Sequence, residues 1–313
     1  MKGIELCERF YLEYGVPMLK KSFGELDGLI AVGVAGSGSE CLGYDDEISQ
    51  DHDFEAGFCI FLPDESLVDR KTEFALERAY SKLPDEFMGY KRQKLSPVGG
   101  NRHGVMRISD FMLDKTGKPD GVLSLEDWFF VPEQALLEAT DGKIFCDGLG
   151  LISSIRSKLY YMPEDVRRKK LAGELLMMGQ TGQYNYSRCV ARGDSAAAQL
   201  VLAEFVKSAI HVCCLIDRKY MPYYKWSFRA LGASERFSSL CEKLEYLISS
   251  FNTEEESKKK LDIIENVCQT IVRVLLEQKL SADTSRELEA HAYSVNTTIR
   301  DPQIRNQHIF YGV

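Results

Sequence analysis

No two cysteines in this chain stand in a Cys-x-x-Cys spacing, although it carries nine. They are scattered and odd in number, and Cys213 and Cys214 sit side by side in an apolar stretch. That pattern reads as reduced, mostly buried thiols. It argues against a disulfide framework or a structural zinc site and suits the cytoplasm. Basic charge is also short: 39 Lys and Arg against 47 Asp and Glu leave a net charge of −8. An extended, sequence-blind hold on nucleic acid needs the opposite balance, so none is expected, while a local pocket for a small anion stays open. No apolar run approaches the ~20 residues that span a bilayer, so no membrane partner is expected. The first residues carry Glu5, Glu8 and Glu13 among apolar positions, which makes an amphipathic helix and not a leader with a basic start. No internal repeat is visible.

What is present is an ordinary globular composition, in 313 residues. That is long enough for two domains of ~100–200 residues each. The spacing of Ile4, Cys7, Tyr11 and Tyr14 predicts a helix over 3–14, broken or kinked at Gly15 and Pro17. The apolar runs 28–35 and 56–62 predict buried strands, 64–82 an amphipathic helix capped near Asp64, and 104–110 a third strand. From about 124 onward, three-to-four spacing predicts helices over 132–140, 151–161, 164–178, 195–219, 236–251 and 261–279. Tyr184 to Arg192 is expected to join two helices. The run Glu254 to Lys260, acids before bases, reads as a solvated helix start. The fold class is α+β: a mixed-sheet domain over 1–150, ending at Asp147-Gly148-Leu149-Gly150, then an all-helical domain over 151–313.

The segment from Gly36 to Asp53, GSGSECLGYDDEISQDHD, carries the chemistry. Glycines after a buried strand let backbone approach a ligand closely. The turn Gly36-Ser37-Gly38-Ser39 offers amides and hydroxyls for phosphate, at what reads as the start of a helix. Asp51 and Asp53, at i and i+2, face one way on a strand, and two such carboxylates are costly unless a cation lies between them. Mg²⁺, or Mn²⁺ in its place, prefers oxygen ligands of this kind and adds substrate phosphates to its shell. Phosphate cradle and paired acids together are the minimum for metal-assisted nucleotidyl transfer from an NTP. Other readings fail on spacing. A calcium loop counted from Asp51 has Ala56 where glycine is required and Leu62 where glutamate is required. No Gly-Lys-Ser/Thr follows the turn, and Cys41 stands where a dinucleotide fingerprint needs its third glycine.

These residues resemble the Gly-Ser…Asp-x-Asp signature of the DNA polymerase beta-like nucleotidyltransferase superfamily. More closely, the chain is similar to a bacterial branch of it known as a domain of unknown function. The resemblance runs over most of 3–232 and includes EDWFFVPEQALLEATDGKIFCDGLG, Tyr161 to Val166 and RKYMPYYKW at 218–226. It implies a small mixed sheet with the metal site and a helical bundle closing over the nucleotide. Asp51 and Asp53 match the metal-binding, catalytic carboxylates. Gly38 and Ser39 match the Gly-Ser pair, Gly36 and Ser37 fit a looser register, and Glu40 and Asp46 match without an assigned role. The family's third carboxylate, on a later strand, aligns with Arg107; the nearest acid is Asp110.

Among other residues, His52 on a strand would face away from its flanking aspartates. His103 lies in a basic loop, and His211 reads as core. In the 218–226 segment Lys225 could reach a triphosphate and Tyr223 could stack on a base or sugar; a helix corner with snorkelling lysines is the alternative. Arg167, Arg168, Lys169 and Lys170 read as a solvated face. The expected function is transfer of an NMP from NTP·Mg²⁺ to a hydroxyl acceptor on a small molecule or protein. A degenerate nucleotide sensor and a purely structural partner protein are the alternatives.

Overall fold

The computed structural model describes residues 1–46, 55–92 and 102–313. Asp51, His52 and Asp53 therefore lie outside the described residues. Gly15 and Pro17 do not break the first helix. α1 (Gly3–Phe10) passes through a π-helical stretch, Tyr11–Gly15, into α2 (Val16–Ser22), with helical backbone at both joints. A π turn lets a helix carry a residue that cannot join the i→i−4 ladder, as Pro17 cannot.

β1 (Ala31–Val34) and β2 (Cys59–Leu62) are buried along their whole lengths. α3 (Arg70–Tyr80) starts later than the periodicity suggests, because Asp69 supplies the cap, accepting from the Thr72 amide at 2.8 Å. Asp64 instead accepts from the Ser66 amide in a separate turn at 2.9 Å. A short hairpin, β3 (Glu86–Phe87) and β4 (Tyr90–Lys91), follows. β5 (Gly104–Arg107) ends at Arg107, and α4 (Ile108–Thr116) begins at once. Next come α5 (Asp127–Phe130), α6 (Glu133–Thr140), β6 (Lys143–Asp147) and α7 (Leu151–Leu159). β6 interrupts a stretch read from periodicity as helical.

The four longer strands form one mixed sheet in the order β5-β2-β1-β6. β1 is antiparallel to both neighbours, whereas β2 and β5 are parallel. On one face Val32, Ile60 and Leu62 meet Leu6, Phe10, Leu76 and Tyr80 of α1 and α3. Each such fully buried side chain contributes ~1.5–3 kcal/mol relative to exposure. On the other face Phe61 meets Phe111 of α4 edge-on at 5.3 Å.

The remaining elements are helical. α8 (Glu164–Met178), a second π stretch (Gly179–Asn185) and α9 (Tyr186–Ala191) run as one helix, so 184–192 is no joint until its last residue. α10 (Ser195–Ile216) and α13 (Glu254–Glu277) are capped by Asp194 and Thr253, on the amides of Ala197 and Glu256. α11 (Ser227–Gly232), α12 (Cys241–Ser249), α14 (Leu288–Thr297) and α15 (Pro302–Arg305) complete the chain. Contrary to expectation, α10 is long and apolar enough to span a membrane by composition alone; 61% of that stretch is buried inside the protein.

The architecture is α+β. It divides into two compact units: residues 1–124 with 131–160, and residues 125–130 with 161–313. The division falls after Tyr160 and not at 150, because α7 packs on β6 and α6.

Candidate functional site

The Gly36–Ser39 turn leaves β1 as the sequence implies, but residues 39–43 continue as turns and no helix opens there. Gly36 takes a positive φ of 107° and gives its amide to Glu138 O at 3.0 Å. Tyr44 N closes back onto Ser39 O at 2.8 Å. Ser37 is exposed, Gly38 and Ser39 are half-buried, and Glu40 is buried. Among the described residues, no hydrogen bond is made by the amides of Ser37, Gly38 and Ser39 or by the two serine hydroxyls.

Arg102 fixes this turn. Its Nε donates to Ser37 O at 2.9 Å, and its Nη2 pairs with the Glu40 carboxylate. Gly38 lies directly beneath that pair, and a Cβ there would fall on Arg102 Nη2 and both Glu40 carboxylate oxygens. Glycine at 38 thus lets the pair lie close over the backbone; what it supplies is close approach, not φ. The neighbouring His103 is buried and meets Glu55 at 3.1 Å, so it is a packed histidine with an acidic partner. Glu40, matched by sequence without a role, is the counter-charge of the clamp. Arg102 and Glu55 were not singled out by sequence, because their partners lie 62 and 48 residues away.

Three buried thiols back the turn. Cys7 Sγ donates to Glu55 O at 3.5 Å and Cys59 Sγ to Arg102 O at 3.3 Å. Burial pushes both up to about 12 and raises Cys41 as well. They are neutral donors at physiological pH, neither nucleophiles nor thiolate ligands. Among the described residues no group of three His, Cys, Asp or Glu could hold a metal ion. The Mg²⁺ or Mn²⁺ site expected at Asp51 and Asp53 falls outside those residues.

The strand position aligned with the third carboxylate is held by Arg107, at the end of β5. Arg107 is turned into the protein, bonding Glu73 at 2.6 and 3.1 Å, Pro63 O at 2.8 Å and Val68 O at 3.0 Å. It ties α3 and the 63–68 loop to β5. Asp110, expected near the end of a strand, is exposed in the first turn of α4, because β5 stops at Arg107.

The other candidates belong to the second unit. Tyr223 and Lys225 are exposed, Tyr223 against Tyr224 at 4.2 Å and Lys225 Nζ over the Trp226 ring at 5.0 Å. The basic run at 167–170 is not a solvated face. Arg167 bonds Glu164 and Leu215 O, while Lys169 donates to Asn296 Oδ1, Arg305 O and Gln307 O, and both are buried. Lys170 is buried too, and Arg168 pairs with Glu164. Burial works to raise the Glu164 carboxyl, but Arg167, Arg168 and Arg218 outweigh it and bring it down to about 2. The acceptors for Lys169 come from about 130 residues further on, which no local pattern reveals. His211, read from the sequence as core, is half-buried and sits against the buried Glu174 at 2.7 Å.

Residues 128–227 match a family model described as a domain of unknown function, DUF4037. The match begins beyond both the Gly36–Ser39 turn and the Asp51/Asp53 pair. A search of curated proteins finds no match. Among solved structures, a nucleotidyltransferase-like protein from Exiguobacterium sibiricum is similar at 12% identity and a TM-score of 0.36, over 90% of this chain and 89% of that one.

Proposed function

We propose that the chain binds a nucleoside triphosphate through the Ser37–Ser39 turn and transfers its nucleotidyl group to a hydroxyl. The observation that carries this is the set of three successive amides and two hydroxyls on the turn that no described residue engages. The Arg102 clamp preorganises that backbone, so little ordering is left for phosphate binding to cost. Asp51 and Asp53 would hold a divalent cation, which when bound neutralises phosphate charge and polarises the α-phosphoryl group. The acceptor oxygen forms a bond to the α-phosphorus, the bond to the bridging oxygen of the β-phosphate breaks, and pyrophosphate leaves. The hydroxyl proton passes to a carboxylate, for which Asp110 is the candidate. The expected compartment is the cytoplasm.

A second reading, a nucleotide sensor without turnover, is favoured by one observation: a buried, fully engaged Arg107 occupies the position of the expected third acid. Incubation with Mg²⁺, labelled NTPs and polyhydroxylated acceptors separates the two. Pyrophosphate release abolished by Asp53→Asn supports transfer. Tight, Mg²⁺-dependent nucleotide binding without release supports the sensor. Absence of any binding, with Ser37→Ala and Ser39→Ala indistinguishable from the parent, removes both.

A further inference from the structure

A second site lies at the other end of β1. A cavity of about 410 Å³ opens in the first unit between the N-terminal helix and the edge strand β6. Its walls are mainly apolar: Tyr11, Leu19, Phe23, Leu26 and Ile30, with Cys146 beside them. Register fixes its position. Ala31, the first residue of β1, pairs with Asp147 at the end of β6, while the Gly36–Ser39 turn follows the opposite end of the strand.

The cavity is preformed. Gly28 and Gly148 meet backbone to backbone at its rim, so closely that a Cβ on Gly148 would fall on the Gly28 carbonyl. Gly148 N also donates to Ile30 O at 3.2 Å, and Leu29 N to Leu26 O at 2.9 Å, which pins both rim loops. Tyr11 is held between Phe58, edge-on at 5.3 Å, and Phe145, stacked at 5.5 Å. Its hydroxyl therefore projects in a fixed direction and meets Cys146 Sγ at 3.4 Å. Burial, and then Cys146, raise the Tyr11 phenol above its ordinary value, so it stays protonated and able to donate. Charged groups at the cavity are Lys20, Asp27 and Asp147. Asp147 is already accepting from the Ser153 amide at 2.9 Å.

We infer that this cavity binds a small, uncharged ring compound bearing one hydrogen-bonding group, held by the apolar walls and by the Tyr11 hydroxyl and Cys146 thiol. The volume falls in the ~300–1,000 Å³ range of small-molecule sites, with the mix of apolar lining and few polar groups those sites have. The charges at the cavity are of both signs and do not select an ion. The inference stands apart from the nucleotide reading, since none of its residues belongs to the turn.

The test uses the full chain and indole as the probe. Saturation-transfer NMR should show saturable indole binding that Leu19→Trp, which fills the cavity, weakens at least tenfold. Benzyl methanethiosulfonate should modify Cys146 several-fold faster than the charged sulfonatoethyl reagent, and indole should slow the benzyl reaction; intact mass with a Cys146→Ser control reads both. If Leu19→Trp fails to fold, the two reagent rates on the parent chain decide alone. Equal rates with no protection by indole overturn the inference, as does indole binding that survives Leu19→Trp unchanged.

Discussion

At its C-terminal end β1 runs into a turn fenced by Glu40, Arg102, Glu55 and His103; at its N-terminal end it is preceded by Phe23, Leu26 and Ile30 around an open apolar cavity. The charged end is fixed by the tips of side chains, as Gly38 beneath the Arg102–Glu40 pair illustrates. The apolar end is fixed by main chain against main chain, at Gly28 and Gly148. Side-chain tips can change rotamer to admit a ligand or a methyl group, whereas packed backbone cannot yield without moving a strand. On the far edge of the sheet, Arg107 pairs in register with Leu62 at the apolar end, and there the charge is sealed from water.

The contrast can be broken most forcefully at Arg107. Arg107→Leu leaves Glu73 and two carbonyls without their donor, and should cost ~3–5 kcal/mol in urea unfolding. Arg102→Leu, at the half-exposed end, should cost less; an equal loss would mean the two ends are built alike. Next, Gly148→Ala drives a methyl into backbone and should lose ~1–3 kcal/mol, read as a lowered thermal midpoint. Gly38→Ala meets only movable tips and should cost under ~1 kcal/mol, yet weaken Mg²⁺–ATP binding several-fold by calorimetry. A Gly38→Ala protein as unstable as Gly148→Ala would mean that the turn yields no more readily than packed backbone. Smallest of all, Tyr11→Phe removes one hydroxyl–thiol contact and should shift stability by ~0.5–1 kcal/mol, with indole affinity falling alongside. Unchanged affinity would take Tyr11 out of the cavity's recognition.

Much of the fold was legible because its signals are local. The buried runs of β1 and β2 need only their own residues, and α8, α10, α12 and α13 announce themselves by period, whereas α14 has no matching expectation. β6 was not legible: Lys143-Ile144-Phe145-Cys146-Asp147 is a half-exposed edge strand, without a continuous apolar run or strict alternation, set among helical patterns. Pairing with β1 makes it a strand, and pairing is not written in five residues. At the candidate site the Gly-Ser turn was legible from composition. The clamp was not, since Arg102 reaches Glu40 across 62 residues. Lys169 and Arg167 failed for the same reason: a lysine periodic on a helix looks solvated until distant carbonyls arrive to receive it.

The π stretch Tyr11–Gly15 has a consequence for protein engineering. α2 is seated against the rim loop by a winding with one residue more per turn than an ordinary helix. Deleting a single residue there would restore regular winding and leave the faces of α2 where they are, because the wide turn absorbs one residue relative to an ordinary helix. The same deletion in the regular winding of α1 would swing everything downstream by about 100°, the angle one residue subtends. The π stretch thus acts as slack in the first helix, and a one-residue deletion in it should be less damaging than one in α1.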